Sequence, residues 1–336
     1  MSAVTPEPVL DLYGVLADRS GCGQIRIMTP LTALRDHGYR AGWADGILKE
    51  GPLPAKAFIG QRMCQPAISA RWQQLARSSN RPKLVFETDD DLFNIDWKSP
   101  SAHKWFSQAD VQANLRANIA ASDAVTVSTE PLAESLRDLN PNIHIIPNYL
   151  PAWLLDHQRP RRDGKIVLGW GGSFTHGADW DECGQQIRRF LERAPSNVEF
   201  HGIGNDYARE QKFPADRCRF TPWVADVPTF WRTIDYDIAV IPLIPSVFNR
   251  SKSHVKFLEC ALLGIPTVAS DVGPYAAAIE HGKTGFLVRR PHEWARYLRD
   301  LVNDRAMREE IGANAKEWAR GHTIEGNIDA WKKALL

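Results

Sequence analysis

The chain is short of cysteine, of long apolar runs and of charge of either sign in excess. Its five cysteines, Cys22, Cys64, Cys183, Cys218 and Cys260, are scattered over 336 residues and form no C-x-x-C pair. That spacing speaks against a disulfide framework or a zinc site and fits reduced thiols in the cytoplasm. No apolar run approaches the roughly 20 residues that a bilayer-spanning helix needs. The first residues lack a basic segment followed by an apolar one, so neither a membrane anchor nor a secretory leader is expected. The formal net charge is +1, which gives no bulk electrostatic reason to expect a nucleic-acid or membrane partner. Apolar residues make up 43% and charged ones 24%, the balance of a soluble globular chain long enough for two domains. Tryptophan is plentiful, with twelve residues; large apolar side chains of this kind mostly fill cores, and some stack on sugars or bases.

Short apolar segments alternate with helical patterns along the whole length. Strands are predicted over 9–16, 56–59, 83–87, 124–128, 165–170, 197–204, 218–224, 236–243 and 267–270. Helices are predicted over 25–37, 66–77, 103–121, 179–194, 291–302, 304–320 and 324–336. This alternation points to parallel α/β sheets. Residues 151–164 are polar, charged and contain Pro and Gly, which marks a linker between two halves.

Four places carry candidate chemistry. The turn Asp18–Gly23 follows the first strand, but G-x-G-x-x-G is not met because position 26 is Arg, so a dinucleotide is not indicated. Asp89, Asp90 and Asp91 follow a strand, where open α/β sheets bind ligands. Three readings stand for them: ligands to a metal and a diphosphate, partners of a substrate hydroxyl, or capping and loop residues without chemistry. Gly171-Gly172-Ser173-Phe174-Thr175-His176 lies between a strand and a helix, where backbone N–H groups can form a nest for an anion. In 249–271, a helix capped by Ser251 or Ser253 is predicted to place Val255, Leu258, Leu262 and Leu263 on one face. Gly264 and Pro266 end it before a buried strand. Arg250, Lys252, His254 and Lys256 crowd its start, which suits a phosphate, and Glu259 is a lone carboxylate further along. His103, near a predicted helix start, reads as a surface or capping residue.

The run Glu259 to Ser270, E-C-A-L-L-G-I-P-T-V-A-S, resembles the donor-site signature of the retaining GT-B glycosyltransferases of family 4. Other segments follow the family's order: Ser122–Thr129, Ile146-Pro147-Asn148, Gly169–Ser173, Asp237–Leu243 and Gly282–Val288. Phe86 to Phe93 resembles a family variant with a D-D-D-L run. The resemblance implies an α/β, GT-B fold: two Rossmann-like domains with parallel sheets facing a cleft. Residues 1–150 would form the acceptor side, 151–164 the linker, and 165–322 the nucleotide-sugar domain. The final helix, 323–336, would cross back to the first domain.

The resemblance also implies site roles. Glu259 takes the place of the second of two paired glutamates and would hold the ribose hydroxyls. Ser251 stands where the first falls, as in a subset of the family. Trp170 replaces the usual Arg of the Gly-Arg turn, and no Lys follows it before the helix. Gly171, Gly172, Ser173 and Thr175 would then bind the diphosphate, with Arg250, Lys252, Ser253 and Lys256. Trp223 and Val224 match the nucleobase position. His176 would contact phosphate or sugar, and Gly21, Gly23 and Arg26 would face the cleft. Asp89, Asp90 or Asp91 would position the acceptor, with no metal. The implied reaction moves a sugar from a nucleoside-diphosphate sugar with retention, needing no cofactor beyond that donor. The acceptor stays open among a glycan, a lipid-linked sugar, a small molecule, a protein side chain and a modified nucleic-acid base. Rival readings are a binding protein without turnover, a nucleotide-sugar epimerase and a metal-dependent GT-A transferase. Neither the donor base and sugar nor the oligomeric state is legible.

Overall fold

The structure, a computed structural model, describes residues 10–45 and 55–336. Val9 of the first predicted strand, and the segment that bears on a leader, lie outside the described residues. The chain divides into two compact units. The first takes the chain to Ile95, then Lys104–Tyr149 and Ile324–Leu336; the second takes Asp96–His103 and Leu150–Thr323.

The first unit holds a six-stranded sheet: β1 (Leu10–Leu16), β2 (Ala41–Asp45), β3 (Ala55–Gln61), β4 (Lys83–Thr88), β5 (Ala124–Val127) and β6 (Ile143–Ile145). All pairings are parallel, in the order β2-β1-β3-β4-β5-β6. Alternate residues of each strand point to opposite faces, and both faces are buried. Leu12, Ile59 and Val85 pack with Ile27, Leu31 and Trp331 on one side. Tyr13, Phe58, Leu84 and Phe86 pack with Trp72, Leu115 and Leu132 on the other. The helix Ile324–Leu335 thus supplies Ile324, Ile328 and Trp331 to the first unit's core.

The second unit repeats the plan with β7 (Ile166–Gly172), β8 (Val198–Gly204), β9 (Cys218–Pro222), β10 (Ile238–Ile241), β11 (Thr267–Ser270) and β12 (Phe286–Val288). Its order is β12-β11-β10-β7-β8-β9, again all parallel. The helices Gly177–Arg193 and Pro291–Asn303 cover one face through Trp180, Ile187, Trp294 and Leu298. Residues 151–164, expected as a linker, fall within this unit; the Arg159 guanidinium donates to the Tyr236 carbonyl.

Two predicted helices are each broken. Residues 103–121 form Pro100–Phe106 and Ala109–Ala120. The helix expected from 249 onward is two pieces, Val247–Ser251 and Val255–Leu262. Ser246, not Ser251 or Ser253, caps the first: its hydroxyl accepts from the Asn249 N–H at 3.0 Å. Lys252 is then extended (φ −63°, ψ 161°), and His254 takes the N-cap position of the second piece. Gly264 ends that piece in the left-handed region (φ +67°), a conformation glycine adopts without strain.

Candidate donor site at the switch point of the second sheet

In the second sheet the chain runs outward from β7 to β8 and β9, then returns to β10 on the other side of β7 and continues to β11 and β12. Loops after β7 and β10 therefore diverge, and open parallel sheets bind ligands in the crevice such a reversal leaves at the carboxyl edge. Gly171 and Gly172, expected in a turn, are the last residues of β7 and pair with β8; the turn after them is Ser173–His176, and the chain after β10 leads to Arg250, Lys252 and Lys256.

Packing explains the two glycines. A Cβ on Gly172 would lie 2.7 Å from the Lys256 Nζ and 2.7 Å from the Trp170 ring. A Cβ on Gly171 would meet the Phe230 ring at 2.7 Å. Gly172 thus leaves room for Lys256, whose ammonium donates to the Gly171 carbonyl at 2.7 Å and lies 5.2 Å from the Trp170 ring centroid, while Gly171 makes room for the Phe230 ring. Burial holds this lysine below its ordinary pKa, and the nearby Glu259 charge partly offsets that. The cation that the sequence lacked after Gly172 is thus supplied from the helix Val255–Leu262. Trp170 itself is a core residue, 5.0 Å from Tyr207 and 5.8 Å from Trp180, centroid to centroid.

The turn is fixed from below. The Tyr207 hydroxyl accepts from the His176 N–H at 2.9 Å and donates to the Ser173 carbonyl at 3.3 Å. The Ser173 and Thr175 hydroxyls bond each other at 2.8 Å. His176 Nδ1 lies 2.7 Å from Asp179 Oδ2. The carboxylate accepts, so Nδ1 carries the proton. Burial pulls the His176 pKa down to about 4, although the Asp179 hydrogen bond opposes this. The ring is neutral at pH 7, and Nε2 keeps its lone pair as an acceptor. Asp179 Oδ1 also accepts from the Ile244 N–H at 2.9 Å, which ties the β7 turn to the chain after β10. Sequence reasoning missed Asp179; the H-x-x-D spacing at a helix start was its one signal.

Glu259 faces the same region. Its Oε1 accepts from the Trp231 indole N–H at 2.9 Å, and burial raises its pKa against the pull of Lys256. Trp223 is 51% exposed just beyond the edge strand β9. Its ring reaches over Gly204, where a Cβ would lie 3.2 Å from it and 2.2 Å from the Gly172 carbonyl oxygen. Val224 beside it is half-buried. Arg250 is exposed, its backbone against Gly273, while Lys252 lies 4.4 Å from the Phe248 ring centroid and Ser253 is half-buried. These residues all border one edge of one sheet.

The first unit has its own reversal, between β1 and β3, and the loops after those strands meet there. Asp18 accepts from the Ser20 N–H at 2.9 Å and pairs with Arg62. Gly23 sits against the Asp18 carbonyl, where a Cβ would come within 1.8 Å of its oxygen; Gly21 has open space around it. Arg26 corrects its expected role. It is 1% exposed, and its guanidinium donates to Glu87 at 2.6 Å, the Ile146 carbonyl at 2.6 Å and Asn148 at 3.0 Å, with Trp331 stacked 4.9 Å away. A guanidinium engaged in this way holds β4 to the segment after β6 and does not reach solvent. Burial raises its partner Glu87 to about 7 against the pull of Arg26.

The three aspartates separate. Asp91 is buried, with Oδ1 accepting from the Phe93 N–H at 3.2 Å and Oδ2 from Asn94 at 2.9 Å. Both its oxygens shape the loop, so its expected substrate role is corrected to the capping and loop reading. Asp89 Oδ1 is buried and unpartnered, and burial with the Asp90 charge raises the Asp89 pKa. The Asp90 carbonyl accepts from Thr88 Oγ1 at 2.8 Å. Among the described residues, no three His, Cys, Asp or Glu side chains are grouped to hold a metal ion, and no helix is long and apolar enough to cross a membrane.

Two Rossmann-like units with six-stranded parallel sheets define the GT-B fold. Residues 166–304, from β7 through the helix after β12, match the family described as Glycosyl transferases group 1. Sucrose-phosphate synthase from Thermosynechococcus elongatus superposes with a TM-score of 0.67 at 14% identity, over 96% of this chain and 98% of that one. Anabaena Alr3699/HepE, solved in complex with UDP-glucose, gives a TM-score of 0.63 at 15% identity, over 97% of this chain and 100% of that one. In sequence, D-inositol 3-phosphate glycosyltransferase of Jonesia denitrificans is 35% identical over 119 residues, 34% of this chain and 26% of that protein. The Corynebacterium glutamicum protein of the same name is 39% identical over 87 residues, 25% of this chain and 20% of the relative. The chain thus spans about a quarter or less of the curated relatives it matches.

Proposed function

We propose that the protein is a glycosyltransferase of the retaining, family 4-like kind, which binds a nucleoside-diphosphate sugar on its second unit. The observation that carries this reading is the Lys256 ammonium, which donates to the Gly171 carbonyl at the glycine end of β7, at the switch point. Lys256 retains N–H groups for an incoming diphosphate, and a desolvated cation there stabilises charge on a leaving phosphate more strongly than in water. Arg250, Lys252 and the turn's N–H groups add to it. Glu259, oriented by Trp231, is the acceptor for ribose hydroxyls, and Trp223 with Val224 forms the base platform. A neutral His176 with a free Nε2 lone pair repels phosphate oxygens but accepts a sugar hydroxyl. Of the two roles expected of His176, the sugar contact is the one proposed.

In the proposed reaction the bond from the anomeric carbon to the diphosphate oxygen breaks. A bond to the acceptor oxygen forms on the same face, and the acceptor proton goes to the departing phosphate. Neither a metal nor a further cofactor takes part. On the first unit, Asp89 is the group proposed to hydrogen-bond the acceptor hydroxyl, because its Oδ1 has no hydrogen-bond partner. A mass-spectrometric screen tests the whole reading. The protein is incubated with UDP-, GDP-, ADP- and dTDP-sugars, with and without chelator. Release of one nucleoside diphosphate, indifferent to chelator and lost in Glu259→Ala, is expected. Turnover abolished by chelator, or an epimerised donor in place of a released diphosphate, would overturn it.

A further inference from the structure

The amino edge of the second sheet carries an open pocket of about 640 Å³, on the side opposite Gly172, Ile241 and Ser270. Its floor is where strands begin: Ile166 of β7, Asn197 before β8, Asp237 before β10 and Pro266 before β11. One wall is the segment 157–165, and the other is the helix Arg305–Arg320. The pocket shares no residue with the donor site.

Its charge is unbalanced. Arg159, Arg161, Arg162 and Lys165 line one wall, and Arg305, Arg308 and Lys316 the other, against Asp163, Asp237 and Glu309. Three of the cations have carboxylate partners: Arg159 with Asp237, Arg162 with Glu199, and Arg305 with Glu309. Among the described residues Arg161, Lys165, Arg308 and Lys316 have none. Arg308 donates to the Leu301 and Val302 carbonyls, and Lys165 makes only a long 3.5 Å contact with the Ser196 carbonyl. Burial lowers both Arg159 and Arg308; the Asp237 charge opposes this in each case, and the neighbouring cations Arg161 and Arg305 respectively add to it. Glu309 and Arg159 both feel the Arg161 charge, so it acts on groups of both walls. The His157 Nε2 at the rim is buried with no partner.

Cations pressed together without matching carboxylates raise one another's cost, which an anionic ligand would relieve. The volume is that of a small-molecule site, within the usual range of roughly 300–1,000 Å³. We propose that this pocket is a second binding site, for a small molecule carrying two or more phosphate groups. Arg161 and Lys316 are its principal anion contacts. The inference does not depend on the reaction assigned to the carboxyl edge.

Calorimetric titration with inorganic tripolyphosphate tests it, in a Lys256→Met background that disables the proposed diphosphate contact at the other edge. The expected result is one bound tripolyphosphate per chain, weakened at least tenfold by adding Arg161→Ala with Lys316→Ala. Arg161→Gln alone, at an exposed position, gives a second reading should the double change disturb folding by circular dichroism; it too is expected to weaken binding. No binding in the Lys256→Met background, weakening of less than tenfold in a folded double variant, or binding of an oligo-aspartate peptide in preference to tripolyphosphate would overturn the proposal.

Discussion

At the scale of single residues, burial decides which charges serve structure and which are left for chemistry. Arg26 and Glu87 form a buried pair with further bonds to Ile146 and Asn148. Removing Arg26 lets the Glu87 carboxyl, already raised to about 7, take up a proton, and takes a donor from the buried Ile146 and Asn148 acceptors, at a cost of about 1–3 kcal/mol. Arg26→Met should therefore lower the stability of the first unit by that order in urea titration and leave nucleotide affinity unchanged; a selective loss of affinity would restore a ligand role. His176 gives a pH signature. Its folded pKa is depressed to about 4 by burial, so an unfolded histidine, near 6.5, binds a proton that the folded one refuses. The unfolded state then carries more protons between pH 6.5 and 4. Stability is complete above that window and falls as pH drops through it, by on the order of 3 kcal/mol for this group. His176→Asn should flatten the acid limb in a series of denaturation curves, and an unchanged slope would contradict the buried, neutral ring.

At the scale of elements, glycine at the end of β7 matters through what it admits. Gly172→Ala places a methyl group against the Lys256 ammonium and the Trp170 ring, so nucleoside diphosphate binding should weaken about tenfold, roughly 1.4 kcal/mol. Gly21→Ala meets open space and should leave binding unchanged in the same titration. Strand–helix alternation was legible because apolar runs such as Ile238–Ile241 and Thr267–Ser270 are buried on both faces. β2 was missed: A-G-W-A-D holds a glycine, and its burial is only partial. The break at Lys252 was hidden because the local residues are compatible with one continuous helix; the backbone of Asn249 and Arg250 just before it lies close to Gly273, which is distant in sequence. Arg26 was misread because its partner Glu87 is 61 residues away, and a cation after a glycine turn reads as exposed. Lys256 was visible as part of a basic cluster, but its carbonyl partner, 85 residues away, was not.

At the scale of the whole molecule, each unit has its own cores: two flank the first sheet, with the terminal helix included, and a separate one lies in the second unit. Nucleotide binding assigned to the second unit should raise only that unit's unfolding midpoint, because a ligand stabilises the state it binds. Calorimetric unfolding with saturating nucleotide should show one transition moving and one fixed, with Arg26→Met shifting only the fixed one. The central claim, that the edge between β7 and β10 binds a nucleoside diphosphate through Lys256, is tested most directly by isothermal titration of UDP, GDP, ADP and dTDP. The wild-type protein and Lys256→Met are compared. Loss of a charged hydrogen bond costs about 1.5–3 kcal/mol, so one nucleotide should bind wild type and bind the variant roughly ten- to a hundredfold more weakly. Equal affinity in the two proteins, or no binding of any nucleotide to wild type, would contradict it.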